Sequence, residues 1–135
     1  MNAIRYLIAY IVTFVVMVAL DLIWLRFASH AVFRPAVGDI LTDKPNLVAA
    51  GLFYVFFAAG LIFFAVWPAF SNGRVTTAFL SGALLGFLAY MAFDLTNLAI
   101  LRLWSVRVSI IDISWGTFVS VVSAAAGFAT ASFRV

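Results

Sequence analysis

VTTAFLSGALLGFLAYMAFDLTNLAIL, residues 75–101, contains a single charged side chain, Asp94. The hydrocarbon core of a bilayer takes about 20 apolar residues of α-helix, so this stretch is long enough to cross it. Three other runs have the same character: Tyr6–Leu25, Leu47–Trp67 and Val108–Phe133. The first gap between runs carries Pro35, Gly38, Asp43, Lys44 and Pro45. The second carries Pro68, Ser71, Asn72 and Gly73, and the third is the short turn Arg102–Arg107. The alternating segments of about 10 residues that build a membrane β-barrel are not found. The expected fold is therefore all-α, an integral membrane four-helix bundle in a single transmembrane domain over residues 1–135.

Composition agrees with that reading. The 135 residues are 67% hydrophobic and 10% charged, against roughly 45–50% and 25% in soluble domains. Arg5 precedes the first run as it would in a secretory signal, but the length of that run and the Asp21 within it predict a retained helix. With no cysteine and one histidine, thiol catalysis, thiolate zinc, iron–sulfur and His-pair haem chemistry are excluded. No phosphate loop, dinucleotide fingerprint or calcium loop occurs. The sequence thus calls for neither metal nor cofactor, and its motifs assign no reaction.

Four crossings put the amino terminus, second loop and carboxyl terminus on one side, face A, and loops one and three on the other, face B. Arg5, Arg74 and Arg134 fall on face A; Arg26, Arg34, Lys44, Arg102 and Arg107 fall on face B. The excess of basic residues points face B to the cytoplasm. Basic side chains at the ends of apolar runs form a membrane-flank pattern, so no nucleic-acid partner is expected.

The polar residues within the spans converge. At about 1.5 Å of rise per residue, Asp21, Asp94 and Asp112 all fall within roughly 5–10 Å of the face B boundary, and Tyr54 arrives at a similar height. A carboxylate facing lipid costs about 2.5–3.5 kcal/mol, which directs these groups inward. In the third helix Gly82, Gly86, Tyr90, Asp94 and Asn97 follow at helical spacing along one stripe. The fourth repeats the pattern with Asp112, Trp115, Gly116, Ser120, Ser123, Ala124, Gly127 and Ala131; the first offers Thr13, Met17, Asp21 and Trp24. These stripes predict a bundle packed tightly toward face A and opening toward face B into a polar, aromatic-walled pocket. Asp21, Tyr54, Tyr90, Asp94, Asn97, Asp112 and Trp115 are its candidate ligand-binding residues. A structural role competes at each: Asp21 could pair with Arg26, Asp94 could accept from Asn97 or Tyr90, and Asp112 could cap its helix. Ala19-Leu20-Asp21-Leu22 also echoes Ala92-Phe93-Asp94-Leu95, the pattern of two parallel helical hairpins related by a pseudo-two-fold axis.

Tyr90-x3-Asp94-x2-Asn97, Asp112-x2-Trp115-Gly116, Asp21-Leu22-Ile23-Trp24 and Phe53-Tyr54 together resemble a family of small predicted bacterial inner-membrane proteins of unknown function. The resemblance spans essentially the whole chain. It implies a multi-pass protein of the bacterial inner membrane and supplies no activity. Three functions compete on the residues: a site for a lipid or other small amphipathic molecule, an accessory subunit packed against a membrane-protein partner, and a homodimeric transporter.

Overall fold

The computed structural model describes residues 3–132. Phe133 and Arg134, used above for a helix end and a charge count, lie outside them. Four helical paths are long and apolar enough to cross a membrane: α1 (Ala3–Ile40), α2 (Leu47–Asn72), α3 (Val75–Ile100) and α4 (Val106–Ser132). The 26 residues of α3 rise about 39 Å at 1.5 Å each, more than the ~30 Å hydrocarbon core. The protein is an all-helical membrane four-helix bundle. Leu7, Ile11, Val15, Leu80, Leu84 and Leu88 point outward at steps of four, an apolar outer surface that suits lipid and would be costly in water.

The α1 path runs well beyond Leu25, through the first proline. Pro35 has no N–H, and its ring collides with the carbonyl four residues back in a regular α-helix. The chain accommodates it by widening the turn over Ser29–Phe33 into a π-helix, which contains that residue, Ala31. A second widened turn, Ile62–Val66, stands in the same relation to Pro68 in α2. Helix ends have local causes. The Asn46 side chain accepts from the Ala49 N–H at 3.1 Å to start α2. Gly73 ends it at φ 70°, a left-handed conformation that favours glycine.

In the bundle, α4 packs between α1 and α3, and α2 closes the opposite side against the same two helices. Antiparallel α3 and α4 meet in a clear register. A Cβ on Gly82 would stand 3.1 Å from the Ser120 carbonyl oxygen, and one on Gly86 would collide with the Ser120 side chain and stand 2.6 Å from the Gly116 oxygen. Four residues farther toward face B, the Tyr90 ring lies over Gly116 so closely that no Cβ fits there. On the other flank, Gly127 leaves room for Thr13, which donates to the Ser123 carbonyl at 3.2 Å. Glycine here permits close helix approach, the usual basis of association where lipid competes equally for apolar side chains.

Candidate functional site

The face B end of the bundle is built differently. Asp21, buried on α1, accepts the Tyr54 hydroxyl from α2 and the Trp115 indole N–H from α4, the latter at 2.8 Å. One carboxylate thus ties three helices together through neutral donors. Arg26, the partner that sequence spacing suggested, is exposed; five residues on, it lies about 140° around the helix. Trp24 stacks on Trp115, with ring centroids 4.8 Å apart and planes inclined by 10°. This fixes the indole that serves Asp21.

Asp94 continues the α3–α4 register beyond the Tyr90–Gly116 pair and meets the Asp112 carboxyl. It has no exposed surface, and among the described residues neither of its oxygens receives a hydrogen bond from a donor. Ionised carboxylates only accept, so these two can bond each other only when one carries a proton. Asn97 and Tyr90 donate no hydrogen bond to Asp94. Tyr90 lies within electrostatic range of Asp21, Tyr54, Asp94 and Asp112 and forms the centre of the polar group.

Beside it opens a cavity of about 540 Å³. Leu25, Ser29 and Phe33 from α1 form one wall, and Phe53 of α2 with Ala89 and Phe93 of α3 form another. Trp104 closes a side, held by its N–H to the Ser109 hydroxyl at 3.1 Å and packed edge-on against Phe93 at 5.7 Å. Tyr90 and buried Asp112 supply the polar groups on the bundle side, while Arg34, Thr42 and Asp43 supply them at the exposed rim. Of the seven candidates from sequence, Tyr90 and Asp112 line this cavity. Asp94 stands behind Asp112. Asp21, Tyr54 and Trp115 form the adjoining hydrogen-bonded triad, and half-buried Asn97 joins neither group.

Sequence reading missed the rim. The sequence pattern assigns the whole stretch between Leu25 and Leu47 to a connection, yet the widened turn carries Ser29 and Phe33 onto the cavity wall, and Leu41, Thr42, Asp43 and Pro45 line it too.

Residues 6–129 match the family of predicted membrane proteins designated DUF2177. The chain belongs to this family. Neither a curated protein nor a solved structure matches it significantly. Membership agrees with the four-span fold and leaves the chemistry of the site to its own residues.

Proposed function

We propose that the cavity beneath the chain 29–45 binds a lipid or similar small amphipathic molecule, and that the protein works in a bacterial inner membrane with face B toward the cytoplasm. The observation that carries the reading is the distribution of polarity around the cavity. Its walls are mostly aliphatic and aromatic, with Ser29 the polar exception among them, and its other polar groups are Tyr90 and Asp112 on one side and Arg34, Thr42 and Asp43 at the rim. Apolar walls with a few convergent polar groups are the general form of a small-molecule site, and 540 Å³ falls within the usual range of about 300–1,000 Å³. The cavity lies toward the face B ends of the spans, a position from which an amphiphile could enter sideways without leaving the membrane.

Ala89, small and on the cavity wall, provides the test. Protein extracted from membranes and sprayed from detergent for native mass spectrometry should retain a lipid-sized adduct. Ala89→Trp, which fills the cavity, should lose it while keeping its helical circular dichroism. Equal adducts in both proteins would place the bound lipid elsewhere and sink the reading.

A further inference from the structure

We infer that the occupant this cavity selects carries a primary ammonium group, received by the Asp112 carboxyl, which Asp94 backs, together with the surrounding aromatic rings. This rests on the reading that the cavity holds an amphiphile, and it names the chemistry of the headgroup.

Three observations converge. The first is the acceptor excess of the carboxyl pair: Asp94 is fully buried, neither of its oxygens has a donor among the described residues apart from the Asp112 carboxyl it meets, and a single shared proton leaves most of the pair's acceptor sites unfilled. Buried acceptors without donors are costly, and more so at membrane depth. The second is position. Asp94 abuts Asp112, and Asp112 lines the cavity, so a donor entering there meets the Asp112 carboxyl with that of Asp94 behind it. The third is the wall itself. Phe53, Tyr90, Phe93 and Trp104 all line the cavity, and aromatic faces around a carboxylate attract a cation.

The same geometry excludes other headgroups. An anionic group would find its basic partner, Arg34, on the exposed rim and would meet carboxyls inside. A quaternary ammonium would satisfy the rings but has no N–H to give. A primary ammonium has three donors and no acceptor, the complement of a carboxyl pair that holds more acceptor sites than donors.

The test uses the full chain in nanodiscs of equimolar phosphatidylethanolamine, phosphatidylcholine and phosphatidylglycerol. All three carry a phosphate, so the headgroup beyond it is the variable. Lipid retained after transfer to detergent is counted by native mass spectrometry. The expected result is enrichment of phosphatidylethanolamine over each of the others by about tenfold, the scale of one charge-assisted hydrogen bond. Asp112→Asn should reduce it to the level of phosphatidylcholine. If that variant aggregates, Asp94→Asn takes its place, and if both do, the ranking in the unmodified protein decides alone. Equal retention of phosphatidylethanolamine and phosphatidylcholine, a preference for phosphatidylglycerol, or an unchanged ranking in a folded Asp112→Asn protein would overturn the inference. If Ala89→Trp still abolishes retention in those cases, the amphiphile site stands and the amine alone fails. If no lipid is retained and Ala89→Trp behaves as the unmodified protein, the cavity reading fails first and takes the amine with it.

Discussion

Replacing Gly86 by alanine adds one methyl group at the tightest point between α3 and α4. The new Cβ would overlap the Ser120 side chain and lie 2.6 Å from the Gly116 carbonyl oxygen. Neither neighbour yields easily, because the carbonyl is backbone and the Ser120 hydroxyl is anchored to it at 2.6 Å. Gly82 fixes the same helix pair one turn away, where a Cβ would already be 3.2 Å from that of Ala124. Gly51→Ala is the matched control, since nothing lies within 4 Å of its added methyl. Alanine is the better helix former by about 1 kcal/mol at either position, so that gain cancels between the two. What remains is overpacking, about 1–3 kcal/mol, plus about 1 kcal/mol for the displaced Ser120 hydrogen bond. Gly86→Ala should therefore be less stable than Gly51→Ala by about 2–4 kcal/mol. Reversible unfolding in mixed micelles of rising dodecyl sulfate fraction, followed by circular dichroism, measures the difference. Equal midpoints and slopes for the two variants would mean that α3 and α4 do not approach as described.

Tyr54→Phe removes one of the two donors to Asp21 and should lower stability by about 1–3 kcal/mol in the same assay; a neutral result would deny the hydroxyl–carboxylate bond. Asp21→Ala strands both donors and should cost more than Tyr54→Phe, with a change in indole emission as Trp115 loses its partner. Single cysteines at Ser71 and Ser105, in a chain that otherwise has none, should react with a membrane-impermeant maleimide from opposite sides, Ser105 from the cytoplasm; labelling of both from one side would contradict four crossings. Asp94→Asn should insert and fold, because the amide keeps the shape and one acceptor, yet lose phosphatidylethanolamine retention; retention at the original level would assign Asp94 a structural role only.

The parts of this architecture legible in the sequence are those governed by periodicity. Gly82, Gly86 and Asp94 are buried along the stripe that four-residue spacing marks on α3, and Thr13, Met17 and Asp21 along that of α1. Asn97 keeps the phase of that stripe, about 60° around from Gly82 where Asp94 is about 120°, but it lies at the helix end, its carbonyl accepting the Leu101 N–H at 2.8 Å, and is only half-buried there. What periodicity could not convey was the path through proline. Pro35 and Pro68 read as breaks, because a regular helix cannot hold them, yet both are carried by a widened turn whose sequence, Ser29–Phe33 or Ile62–Val66, bears no distinctive residue. The cavity rim depends on the first of these turns, so its lining was hidden with it. Partner choice was hidden as well: spacing brings Asp21 and Trp115 to the same depth, but only the packing of α1 on α4 sets their 2.8 Å contact.

The register of α3 against α4 also explains why an open site coexists with a tightly packed bundle. From face A the facing residues run Gly82 with Ser120 and Ala124, Gly86 with Ser120 and Gly116, Tyr90 with Gly116, and Asp94 with Asp112. The first two contacts bring backbone against backbone. The third seats a phenol ring on Gly116, where no Cβ fits. Tyr90 thus belongs both to the α3–α4 packing and to the wall of the cavity beside it. The glycine contacts behind it hold α3 against α4 and so hold the ring in place. The Asp21 triad, joining α1, α2 and α4 at the same height, resists collapse from the other side. The cavity is consequently preorganised by its supports, the condition under which a site spends little binding energy on ordering itself. It follows that enlarging Gly116 should damage the cavity more than any change to the lining aliphatics, since it would evict the Tyr90 ring from both the helix seam and the cavity wall.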